Sequence, residues 1–126
     1  MNTQTYIQNS EYEANSCSVI AVSKCMDILY TEAYRRMHHI GRVQGSGIYN
    51  FGEYAVKLGL RHREDLAGNT LRQTLPKLAS GRYILRVTGH LFCVIDGTVY
   101  DTWKQTTNKK VLMVYEYTTH ANNEEL

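Results

Sequence analysis

Proline occurs once in these 126 residues, tryptophan once, phenylalanine twice and cysteine three times. No apolar run is long enough to cross a bilayer, which excludes a helical membrane span. Met1 to Ser10 is polar and lacks the basic-then-apolar pattern of a secretory leader. The 14 basic and 12 acidic side chains leave a formal charge of +2. That balance provides no electrostatic footprint for nucleic acid or an anionic membrane surface. Cysteines at 17, 25 and 93 are odd in number and have no framework spacing. They read as reduced thiols in a cytosol-like compartment, so the expected location is cytoplasmic. No glycine-rich phosphate loop follows a strand. There is no internal repeat, low-complexity tract or linker, and residues 1–126 read as one domain with a core of its own.

Helical signals fill the first half of the chain. A helix is expected from about Ser16 to Tyr30, capped by Asn15 or Ser16. Val19, Ile20, Ala21, Val22, Cys25, Met26, Ile28 and Leu29 cover most of its circumference, the pattern of a central, buried helix. A second helix follows Thr31, with Ala33, Tyr34, Met37 and Ile40 inward and Arg35, Arg36, His38 and His39 outward, and Gly41 ends it. Gly45-Ser46-Gly47 marks a loop. Asn50 with Glu53 opens a third helix as a capping box, and Gly59 occupies its left-handed terminus. Thr70 with Gln73 repeats the box for a short fourth helix that Pro76 kinks or ends. From Arg82 the period changes to two, with strands near 82–88, 90–96, 98–103 and 111–118. Helices first and an antiparallel meander after is an α+β layout, N-terminal helices packed on a C-terminal sheet.

The richest stretch runs from Thr88 to Trp103. Asp96-Gly97 between two alternating runs is a strong hairpin signal. A two-residue loop there sets Ile95 opposite Thr98, Val94 opposite Val99 and Phe92 opposite Asp101. His90, Phe92 and Val94 then share a face with Val99, Asp101 and Trp103. Asp101 becomes the diagonal neighbour of His90, within reach of a side-chain hydrogen bond. A slip of one residue would send it to the other face.

In that register Asp101 accepts from one imidazole nitrogen and fixes the tautomer, leaving the other to take a proton from a thiol. Cys17 suits the part of nucleophile. At the first turn of a helix the macrodipole favours a thiolate. The Cys17 backbone N–H is one of that turn's unpaired donors and supplies half of an oxyanion hole. The second donor is an amide of Asn15, Gln8 or Asn9, with Asn15 nearest in sequence. Taken singly, a cysteine is more often core than nucleophile, and a histidine at a strand start is more often structural. The order along the chain, the shared strand face and the helix-start cysteine together point to chemistry.

The remaining polar groups read more plainly. Cys25 and Cys93 are core, and the strand parity of Cys93 against His90 argues against zinc. No metal ligand set is expected. His38 and His39, the Arg61-His62-Arg63 run and Lys109-Lys110 are solvated surface.

Asn15-Ser16-Cys17-Ser18-Val19-Ile20-Ala21 and Gly81 through His90, running on to Asp101-Thr102-Trp103, resemble small papain-like proteins of bacteria and their phages. Leu29 to Tyr34 and Gly45-Ser46-Gly47 are similar to that group's second helix and glycine loop. The resemblance spans roughly residues 15–103. It implies a papain-like fold and thioester chemistry without a cofactor. Cys17 would be the nucleophile, His90 the general base and acid, Asp101 the orienter, and Trp103 the aromatic that shields the histidine pair. It also implies a protein or peptide substrate, a host protein in the host cytoplasm if the gene is viral. A silent module of the same fold that binds and inhibits a host protein is the alternative. The chain departs from the pattern at Glu11 and Tyr12, where many papain-like peptidases carry a glutamine, and at Ser18, where some families have glycine or tryptophan.

Overall fold

The structure, a computed structural model, describes residues 4–6, 16–43, 48–101 and 106–118. It is an α+β arrangement in which helices come first and a mainly antiparallel sheet follows. The elements are β1 (Gln4–Tyr6), α1 (Cys17–Met26), α2 (Tyr30–His39), α3 (Phe51–Leu58), β2 (Arg61–His62), α4 (Leu71–Thr74), β3 (Arg82–Val87), β4 (His90–Ile95), β5 (Thr98–Asp101) and β6 (Met113–Tyr117). Short 3-10 turns cover Glu64–Leu66 and Leu75–Leu78. Among the described residues no helix is long and apolar enough to cross a membrane.

Helix α1 is buried along most of its length, as its all-round apolar surface requires, but it stops at Met26, short of Tyr30. Asp27 adopts the left-handed conformation (φ 56°), and its N–H and that of Ile28 turn back to the Lys24 and Ser23 carbonyls. The Arg82 guanidinium then caps the helix from β3, donating Nε to the Cys25 carbonyl at 2.6 Å and Nη2 to the Lys24 carbonyl at 2.9 Å. A cation at the C-terminal end of the macrodipole stabilises the helix there.

Two of the expected caps, Ser16 and Asn50, do not form; Asn15, the other candidate for α1, lies outside the described residues. Ser16 stands at the N-cap of α1 but its side chain makes no capping bond. Asn50 likewise does not cap α3; its amide donates to the Tyr54 hydroxyl at 3.0 Å. The Thr70–Gln73 box does form, and the chain passes from α4 into a 3-10 turn that carries Pro76. Gly59 is left-handed, as expected (φ 82°).

The sheet order is β1-β5-β4-β3-β6-β2. The expected meander is therefore corrected at its last step, because β6 crosses back to pair with β3. The Arg61-His62 pair is exposed, as expected, and forms a short strand on β6. Gln4–Tyr6 pairs in parallel with β5.

Each sheet face has its own core. Ile84, Leu91, Cys93 and Tyr115 project to the face covered by α1, α2 and α3. Tyr83, Leu85, Val87, Phe92, Val94, Val99 and Val114 project to the other, under Leu66, Leu71, Leu75 and Leu78. Central strand β4 is thus apolar at successive positions rather than alternating, the signature of a strand covered on both sides. Burying a side chain such as Phe92 contributes about 1.5–3 kcal/mol. The strand that carries His90 is anchored by apolar side chains on both faces.

Candidate active site

The β4–β5 hairpin turns through Asp96 (φ 49°) and Gly97 (φ 81°), positive at both central residues as a type I′ turn demands. Asp96 is tied down twice, donating its N–H to the Gly81 carbonyl and accepting at Oδ1 from the Gly81 N–H, both at 2.8 Å. The register follows from the turn: Ile95 pairs with Thr98, Val94 with Val99 and Cys93 with Tyr100. Continued along the strands, it places Asp101 on the His90 face.

The side chains meet there. His90 Nε2 lies 2.6 Å from Asp101 Oδ1. His90 is 1% exposed and Asp101 3%. Phe92, one step along the same face, stacks on the imidazole with ring centroids 6.3 Å apart. Nε2 is committed to the carboxylate, so Nδ1 is the nitrogen left for the thiol. The Cys17 thiol lies near enough to act electrostatically on this ring. Burial drives the imidazole toward its neutral form, but the bond to Asp101 and the influence of Asp101 and Cys17 outweigh it. Together they raise the His90 pKa from 6.5 to about 9.

Cys17 is the first residue of α1, 7% exposed. The first helical bond runs from the Ile20 N–H to the Ser16 carbonyl. The Ser16 hydroxyl is buried and has no partner among the described residues, so it occupies none of the helix's first donors. Next along the helix, the Ser18 hydroxyl accepts from Nε of the buried Arg42 at 2.9 Å. Sequence reasoning missed Arg42; its only signal was a charged residue directly after the glycine that ends α2.

Cys17, Ile20, Ala21, Leu91, Phe92, Tyr100 and Asp101 line a crevice too narrow for a water molecule. Asn15, the favoured oxyanion donor, and Trp103, the expected shield, lie outside the described residues, as do Gln8, Asn9, Glu11, Tyr12 and the Gly45-Ser46-Gly47 loop. Cys25 and Cys93 are both fully buried. Burial, and then a hydrogen bond with Cys25, hold the Cys93 thiol well above its ordinary pKa. Among the described residues no three His, Cys, Asp or Glu side chains group as metal ligands.

The arrangement can hold a proton on an imidazole between a sulfur and a carboxylate, at a helix N-terminus. No protein-family model, curated protein or solved structure matches the chain. The class that stands is an α+β protein with a buried Cys-His-Asp cluster.

Proposed function

We propose that this chain is a papain-like cysteine hydrolase that cleaves an amide, peptide or isopeptide bond. Cys17 Sγ attacks the carbonyl carbon as the thiolate, with the proton held on His90. The tetrahedral oxyanion collapses, the C–N bond breaks, and His90 gives its proton to the leaving nitrogen. Water then attacks the thioester and passes a proton to His90. The C–S bond breaks, releasing the acid, and the thiolate–imidazolium pair is restored. Asp101 orients the ring throughout, and the Cys17 backbone N–H with an Asn15 amide receives the oxyanion. The site works on a protein or peptide in the cytoplasm, a host protein if the gene is viral. The observation that carries this reading is the buried 2.6 Å His90–Asp101 bond, with Cys17 at the head of α1 near enough to act on the same ring.

Iodoacetamide near pH 7 tests it. Peptide mass spectrometry of the folded protein should show Cys17 alkylated at least tenfold faster than Cys25 or Cys93. Equal, slow labelling of all three thiols contradicts the proposal.

One observation favours the alternative, a silent module that binds a host protein. The crevice beside the sulfur does not admit a water molecule, so a carbonyl reaches Cys17 only if the crevice widens. A pull-down of one defined partner that survives Cys17→Ala, together with an inert Cys17, identifies the binding module.

A further inference from the structure

The cations on this fold are mostly matched with oxygen. Arg36 pairs with Glu32, and Arg63 with Asp65 and Glu116. The buried Arg42 donates to Ser18, and Arg82 donates to two helix carbonyls. Arg86 on β3 is different. It is half-buried, its Nε is buried without a hydrogen-bond partner, and among the described residues no ion pair includes it. Its guanidinium instead lies over the ring of Tyr49, 5.1 Å from the centroid, and Tyr49 is itself 73% exposed. A ring face attracts a cation but does not neutralise it. A partly desolvated guanidinium without an acid is costly unless an anion arrives to meet it.

Its place in the sheet says what that anion belongs to. Arg86 pairs across the ladder with Leu91, the residue after His90. Cross-strand partners project from the same face, so Arg86 shares the face covered by α1. Leu91 is also a wall of the crevice that holds Cys17. Tyr49 closes the array toward the hairpin, its hydroxyl 3.9 Å from where a Cβ on Gly89 would stand, one residue before His90. Arg86 therefore projects from the face opposite His90, on the α1 side with Cys17, and Tyr49 reaches the turn just before that histidine.

We infer that Arg86, stacked on Tyr49, is the specificity residue of this site and takes a carboxylate of the substrate, so that the hydrolase acts on acidic peptides. The inference rests on Cys17 being the nucleophile. A guanidinium presents parallel donors that match a carboxylate in bidentate fashion, while the ring holds it flat. The carboxylate comes either from a Glu or Asp side chain or from a chain end; both present the same chemistry.

The test alkylates Cys17 with chloroacetyl dipeptide mimics, in which the S–C bond forms and chloride leaves. Chloroacetyl-glutamate amide, chloroacetyl-glutamine amide and chloroacetyl-glutamine free acid are compared on the full chain, with iodoacetamide as the uncharged reference. In the wild type a carboxylate-bearing probe should react about tenfold faster than the glutamine amide, the scale of one charge-assisted hydrogen bond. Arg86→Gln should abolish that preference and leave the iodoacetamide rate unchanged. Arg86→Lys, which keeps the charge and loses the fork, should retain only part of it. Preference for the glutamate amide assigns a side-chain carboxylate, and preference for the free acid a chain end. The same probe ratio in the wild type, Arg86→Gln and Arg86→Lys overturns the inference while Cys17 still reacts with iodoacetamide. An inert Cys17 overturns the hydrolase reading with it.

Discussion

His90 Nε2 and Asp101 Oδ1 stand 2.6 Å apart with both side chains almost wholly withdrawn from solvent. The residues are joined across a hairpin whose register is set by its turn, so the pairing is a property of the strands and not of a loop. Asp101→Asn should therefore keep the fold while lowering the His90 pKa, since the carboxylate is among the groups that raise it. Alkylation of Cys17 near pH 7 should slow, and turnover should fall on the order of 100-fold or more. Circular dichroism together with the alkylation rate reads both effects. An unchanged rate in a folded variant removes Asp101 from the site.

The three cysteines should separate under the same substitution. Cys17→Ser at the head of α1 should change stability by less than about 1 kcal/mol and end turnover. Cys25→Ser and Cys93→Ser place a hydroxyl in apolar core and should cost about 1–3 kcal/mol each. Urea unfolding of the three variants measures this. A large loss in Cys17→Ser alone assigns Cys17 to the core.

The turn carries the register. Gly97 has φ 81°, a conformation disfavoured for a β-branched residue. Gly97→Val should cost about 1–2 kcal/mol. It should also slow Cys17 alkylation although residue 97 lies at the far end of the hairpin. Loss of stability with thiol reactivity unchanged would detach the register from the site.

Stability should depend on pH through His90. Its folded pKa, about 9, lies above its ordinary value of 6.5. A raised folded pKa favours the folded state while the ring is protonated in both states. That contribution is complete below about pH 6.5 and is lost as pH rises toward 9. It amounts to roughly 3 kcal/mol. Urea midpoints across pH 6 to 10 should fall through that window in the wild type and less steeply in His90→Gln. Turnover should decline on the alkaline side near pH 9, where the imidazole no longer supplies its proton.

The hairpin was legible because local chemistry determines it: Asp-Gly imposes a turn type, the turn imposes a register, and the register joins His90 to Asp101. The helix-start position of Cys17 was legible from its apolar neighbours. Three features were not. The return of β6 to β3 depends on a pairing partner distant in sequence. Ser16 and Asn50 look like caps by residue type, but Ser16 is buried and the Asn50 amide goes to Tyr54. Arg42, Arg86 and Tyr49 acquire meaning only from burial and proximity, which no spacing encodes.

The central claim is that sulfur, imidazole and carboxylate form one coupled proton-holding unit. The ¹⁵N NMR titration of the His90 ring in the wild type and in Cys17→Ser tests it most directly. A midpoint near 9 in the wild type that drops once the thiol is gone is the predicted result. A midpoint near 6.5, or the same midpoint in both proteins, contradicts it.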